Sequence, residues 1–90
     1  MKFIADAMLG RLARWLRFLG FDTLYYPDIQ DGRLISIARE EDRCILTRDT
    51  HLIQIKGLNN YLLIHSNNTL QQLIEVIGTF QLKQIRLPGR

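Results

Sequence analysis

The chain has 90 residues, 47% of them hydrophobic and 23% charged, and carries a formal net charge of +3 at pH 7. That length makes one small domain, above the size at which disulfides or metals become obligatory for folding but with little core to spare. A single cysteine excludes an internal disulfide, no apolar stretch approaches membrane-spanning length, and Asp6 and Arg11 interrupt the run that could pass for a signal peptide, so a reducing, cytoplasmic setting is expected.

Lys2-Phe3-Ile4-Ala5 is a short apolar run that reads as a buried strand ending at Asp6. Met8 to Leu19 follow with helical spacing. Met8, Leu12, Trp15, Leu16 and Leu19 fall at i, i+4, i+7, i+8 and i+11, which predicts the core face of an amphipathic helix with Gly20 as its stop. On this spacing Trp15 is assigned to the core rather than to a base-stacking role. Residues 22 to 26 are β-branched and aromatic, end at Pro27, and read as a second strand. Asp31 can cap a helix running to about Glu41, with Leu34, Ile35 and Ala38 facing inward. Cys44 to Thr47 make a third strand, in which Cys44 reads as a small buried hydrophobe rather than a catalytic thiol. Thr50 to Lys56 suggest a short helix closed by Gly57, and Tyr61 to His65 a fourth strand. Thr69 opens a last helix through about Phe80 with Leu70, Leu73, Ile74 and Ile77 as its core stripe. From about Gln81 the chain reads as a short extra strand or a loose tail.

The order βαβαβαβα calls for parallel strands joined by crossover helices on both faces. The expected fold is a small three-layer α/β/α domain with a four-stranded, mainly parallel sheet, five-stranded if the tail adds a strand. With strand order 2-1-3-4, the first and third strands are neighbours and their carboxyl ends flank the topological switch point, where ligands bind in open parallel sheets. Asp6 and Asp49 would then be adjacent. Two carboxylates in such a place suit a hard cation such as Mg2+ or Mn2+. Asp31, after the second strand on the same edge, is the third candidate, with Asp28 close enough to substitute for it. Each of the three has helix capping as its alternative role.

Thr47 adds a hydroxyl one pleat before Asp49, on the same side. His51, two residues after Asp49, is a candidate phosphate contact or a cap. His65 with Ser66, Asn67 and Asn68 makes a polar loop that can contribute a ligand, bind substrate or simply turn. Nine of the twelve basic residues are arginines, and Arg11, Arg14 and Arg17 recur every three residues on the helix that follows Asp6. An arginine stripe beginning near a carboxylate pair, with Arg48 beside Asp49, suggests guidance of a polyanion as well as a solvated face.

Phe3-Ile4-Ala5-Asp6-Ala7-Met8-Leu9-Gly10-Arg11-Leu12-Ala13-Arg14-Trp15-Leu16-Arg17, continuing into Leu19-Gly20-Phe21-Asp22-Thr23, closely resembles the opening of the Mut-seven C-terminal RNase domain family, a branch of the PIN-like nuclease superfamily. Ile45-Leu46-Thr47-Arg48-Asp49 resembles that family's second motif, and Asp31 with Leu34, Ile35 and Ala38 the stretch between. The resemblance implies a PIN-like fold and a Mg2+- or Mn2+-dependent endoribonuclease, with Asp6, Asp31 and Asp49 as catalytic and metal-binding acids; the residue pattern itself adds Arg11, Arg14, Thr47, Arg48, His51 and Asn67 as candidates toward an RNA substrate. Two departures stand out. Ser66-Asn67-Asn68 replaces a further acid that such domains often carry after the fourth strand. The cysteine-rich zinc ribbon that commonly follows is also missing, since Arg86-Leu87-Pro88-Gly89-Arg90 holds no CxxC pair; the ribbon is expected to be absent or cut away. The alternative function is a degenerate PIN-like module that binds RNA or a protein without cleaving, and a homodimer or partner protein stays open. A phosphoacceptor receiver would need a paired acid after the first strand and a lysine after the fifth, and this chain supplies neither.

Overall fold

The computed structural model describes residues 1–55 and 57–81. Four parallel strands, β1 (Lys2–Ala5), β2 (Asp22–Tyr25), β3 (Cys44–Thr47) and β4 (Tyr61–Leu63), lie in the order β2-β1-β3-β4. Three helices alternate with them: α1 (Gly10–Phe18), α2 (Asp31–Glu41) and α3 (Thr69–Phe80). This is the expected α/β architecture and strand order. The extra strand or tail expected beyond Gln81 lies outside the described residues, as does Lys56 at the end of the expected short helix. Of that helix the described residues form only a 3-10 turn, Leu52–Gln54.

Strand alternation sorts the core. Phe3, Ala5, Cys44 and Leu46 meet Leu12, Ala13 and Leu16 of α1 and Val76 of α3 on one face. Ile4 and Ile45 meet Leu34, Ile35, Ile37 and Ala38 of α2 on the other. Each fully buried large side chain, such as Phe3 or Ile45, contributes about 1.5–3 kcal/mol by leaving water. Register runs Phe3 to Cys44 and Ala5 to Leu46, so Asp6, the first residue after β1, comes out beside Thr47, the last residue of β3. The Asp6 N–H still donates to the Leu46 carbonyl at 3.0 Å, carrying the ladder one residue past the strand.

The end of α1 is set locally. Gly20 takes a left-handed φ of 97°, the Gly20 N–H donates to the Arg17 carbonyl at 3.0 Å and the Phe21 N–H to that of Leu16 at 2.9 Å, which is a Schellman motif. Arg17 is drawn into this corner, its Nε donating to the Thr23 carbonyl at 2.7 Å, so it ties α1 to β2 rather than joining a free basic stripe.

Two expected core faces are shifted. Met8 and Trp15 are 72% and 47% exposed, while Leu9, Leu12, Ala13 and Leu16 are buried. Residues 7–9 form a 3-10 turn, which breaks the 100° phase on which Met8 was aligned, and α1 seats its 9-12-13-16 side on the sheet. On α3, Leu70 and Ile74 are exposed while Gln72 and Val76 are buried, because this helix packs against α1 as well as over the sheet. Asp31 is the first residue of α2 rather than its cap. Gln30 occupies that position and makes no side-chain capping bond.

Arg43 clamps the opposite, amino edge of the sheet. Its Nη1 donates to the Phe3 carbonyl at 3.1 Å and to Asp22 Oδ1 at 2.8 Å, and its Nε to Glu41 Oε1 at 2.9 Å. Cys44, one residue on, is a buried free thiol whose pKa burial pushes up to about 11, which keeps it neutral and fits the core reading.

Candidate functional site

Asp6 leaves β1 in extended backbone conformation and is only 9% exposed. Its Oδ1 accepts the Met8 N–H at 2.8 Å and caps the 3-10 turn, while its Oδ2 accepts the hydroxyl of Thr47. Thr47 is fully buried at the end of β3, and its Oγ1 also accepts the Asp49 N–H at 3.0 Å. One hydroxyl therefore joins the two acids, donating to one side chain and accepting from the other's backbone. The Asp49 side chain is 38% exposed and turns Oδ1 back to accept the His51 N–H at 2.8 Å. Its Oδ2 has no hydrogen-bond donor among the described residues. The capping role and the juxtaposition thus coexist, since a carboxylate has lone pairs enough for both.

The other candidates are distributed around this pair. His51 is almost fully solvent-exposed, with Nδ1 3.5 Å from Asp49 Oδ1. Arg48 is half-buried, and its Nε is buried without a hydrogen-bond partner among the described residues. Arg11 and Asn67 line a cavity of about 470 Å³ between the residue 7–11 turn and the start of α3. Arg14 lies away from it, in a surface depression with Trp15 and Phe18. Asp31 is exposed in the first turn of α2. Among the described residues no group of three or more His, Cys, Asp or Glu side chains could hold a metal ion directly, so Asp6, Asp31 and Asp49 are not gathered into a ready three-ligand cluster.

Several residues of this edge escaped the sequence reading. The Tyr25 hydroxyl donates to the Ala7 carbonyl at 2.8 Å and fixes the turn after Asp6; a Cβ on Gly10 would meet the Tyr25 ring at 3.0 Å, so glycine leaves that ring room. No local signal marks the Tyr25–Ala7 bond, whose partners are 18 residues apart. Asn68 caps α3 by accepting the Gln71 N–H at 2.9 Å, and Gln72 Nε2 donates to the Ser66 carbonyl at 3.1 Å. Asn68 before a helical run is a capping signal that was legible. Glu75 brings a carboxylate to the loop after β4, but both its oxygens accept the His65 N–H, at 3.1 and 3.0 Å.

Hard oxygen donors at a strand terminus suit Mg2+ or Mn2+, and Mg2+ is commonly held by one or two carboxylates while keeping several waters. The paired acids meet that requirement in donor chemistry. Among the described residues no helix is long and apolar enough to cross a membrane. Set against known proteins, residues 1–88 match a family model described as the Mut7-C RNAse domain. Comparison with curated proteins and with solved structures gave no match.

Proposed function

This chain belongs to the Mut7-C RNAse domain family, and we propose on that premise that it is an endoribonuclease whose divalent-metal site is built on Asp6 and Asp49. The observation that carries the reading is the Thr47 hydroxyl, which joins Asp6 Oδ2 to the Asp49 backbone across two strands that are distant in sequence. Asp6 and Asp49 are the residues that would hold the Mg2+ or Mn2+. When bound, such an ion lowers the pKa of a coordinated water and neutralises charge developing on the phosphate.

The chain's own residues do the rest. Thr47 holds both acids in register so that little reorganisation is needed when substrate arrives. Arg48 and Arg11 bind phosphate oxygens on either side of the pair, and Asn67 contacts the nucleotide lying in the cavity. His51, exposed beside Asp49, meets a neighbouring phosphate. Asp31 acts from the rim on water or the sugar rather than as a direct ligand in the described arrangement. A cytoplasmic RNA is the substrate class.

The products report the mechanism. Water as nucleophile leaves 5′-phosphate and 3′-hydroxyl ends, whereas attack by the neighbouring 2′-hydroxyl leaves a cyclic phosphate. Purified protein with RNA and Mn2+ is expected to give 5′-phosphate ends, and EDTA or Asp49→Asn to stop the cleavage. Cyclic phosphates, or cleavage surviving both controls, would overturn the metal-hydrolysis reading. The non-cleaving binding module is favoured by one observation, the lack of a three-acid cluster among the described residues; absence of cleavage across varied RNAs, with binding retained, would decide for it.

A further inference from the structure

The exposed face of α1 is unlike an ordinary solvated helix surface. Trp15 and Phe18 are 47% and 57% exposed, and their rings stand edge to face, with centroids 5.6 Å apart and planes at 84°. Arg14 lies with them in one depression of about 330 Å³, and Leu70 of α3 adjoins Trp15 in a second of about 280 Å³. Burying so much aromatic surface would be favourable, and its exposure marks a recognition surface.

Charge decides what covers it. Helix α1 carries Arg11, Arg14 and Arg17 and no acidic residue. Arg11 and Arg14 are exposed, and neither makes an ion pair among the described residues. A second copy of this chain docking through the same face would bring guanidinium against guanidinium, which costs rather than stabilises. A ligand that alternates negative charge with flat π surfaces satisfies both features, and single-stranded nucleic acid is that ligand. The face is also continuous with the proposed site. Arg11 lines the cavity together with Ala7, Met8 and Leu9 of the turn that Asp6 caps, Arg14 and Trp15 follow one turn later, and Phe18 one turn after that. From Arg11 to Phe18 the helix rises about 10 Å, about three stacked nucleotides.

We infer that Trp15 and Phe18, flanked by Arg11 and Arg14, form a stacking platform for single-stranded RNA that leads the strand along α1 toward the Asp6–Asp49 edge. This rests on RNA being the substrate, and it adds that the substrate is unpaired where it crosses α1, since a duplex offers no free base faces.

Trp15 is the sole tryptophan, so its fluorescence reports the platform directly. The full chain, held in EDTA to prevent turnover, is titrated with a short oligoadenylate, with an RNA duplex and with inorganic polyphosphate. Oligoadenylate is expected to quench Trp15 and the other two to leave it unchanged. By anisotropy of labelled RNA, Trp15→Ala or Phe18→Ala should weaken binding about tenfold with no change in salt slope, and Trp15→Tyr should restore most of it. Arg14→Ala should instead lower the slope of log Kd against log salt by about 0.7. Circular dichroism melts identify any variant that fails to fold, in which case quenching of the wild type and the Phe18 variant carry the test. Equal binding of duplex, quenching by polyphosphate, or an unchanged Kd in folded Trp15→Ala and Phe18→Ala would overturn the platform. So would sedimentation showing a dimer that Trp15→Ala dissociates, or a protein partner competing for the face. These readouts need no cleavage. A failed platform with 5′-phosphate products leaves the nuclease reading standing, and quenching without cleavage does the reverse.

Discussion

Replacing Thr47 by valine keeps the shape of a fully buried side chain and deletes only its hydroxyl. Two hydrogen bonds go with it. Asp6 Oδ2 loses its donor in a nearly buried position, and the Asp49 N–H loses its acceptor. A hydrogen bond to a charged group is worth about 1.5–3 kcal/mol, and the second, partly solvated bond adds less, so the expected loss is about 2–3 kcal/mol. For a domain of this size that is a fall in Tm of about 8–24 °C. Thr47→Ser is the opposite perturbation, keeping the hydroxyl and deleting a methyl group at a cost of about 0.8 kcal/mol or somewhat more. If the hydroxyl holds the acids together, valine is the more damaging change; if packing is what matters, serine is. Thermal unfolding at pH 7 ranks them. Mn2+-dependent cleavage assayed well below both melting points should survive in Thr47→Ser and fall sharply in Thr47→Val. A valine variant that melts within about 2 °C of wild type and cleaves normally would refute the linkage, given the Tm change per kcal/mol for small domains.

Manganese titration is expected to raise the Tm of the wild type by ligand linkage, and Asp6→Asn to abolish that rise while the metal-free protein stays folded; an undiminished rise, read by scanning calorimetry, would remove Asp6 from the site. The hydrogen bond from Arg43 holds the Asp22 carboxyl below its ordinary value. Its contribution is therefore complete above the unfolded carboxyl pKa of about 3.9 and is lost as pH falls toward the lower folded value. Urea midpoints between pH 5 and pH 3 should fall more steeply for wild type than for Asp22→Asn, and parallel curves would show that the pair does not act in acid. Cys44, with its thiol pushed up to about 11 by burial, should resist iodoacetamide at pH 8 in the native protein and react once unfolded, by mass spectrometry; rapid native modification would mean that β3 opens easily.

Local pattern determined much of this protein. Short apolar runs separated by helical periodicity, each closed by Gly20, Pro27 or a polar loop, were enough to place four strands and three of the four expected helices, the one at Thr50 to Lys56 forming only the Leu52–Gln54 3-10 turn in the described residues, and their alternation required a parallel sheet with acids at its carboxyl edge. Three of the four inward residues of α2, Leu34, Ile35 and Ala38, were legible from helical spacing, while Ile37 lies off that stripe and is buried only because the helix covers its face of the sheet without another α-helix beside it. On α1 and the turn before it, apolar residues stand at 8, 9, 12, 13, 15, 16, 18 and 19, more than one face can hold. Periodicity could not choose among them; contact with the sheet and with α3 did, turning Trp15 and Phe18 outward. Leu70 and Ile74 on α3 went the same way. The proposed site divides likewise. Asp6 and Asp49 could be read from the strand ends, because a carboxylate just past an apolar run is a local signal. The Thr47 hydroxyl joining them and the Tyr25 bond that sets the turn link residues 41 and 18 positions apart. Such pairs depend on strand order and register, and those are settled only when side chains from the whole chain compete for the same two faces of one sheet.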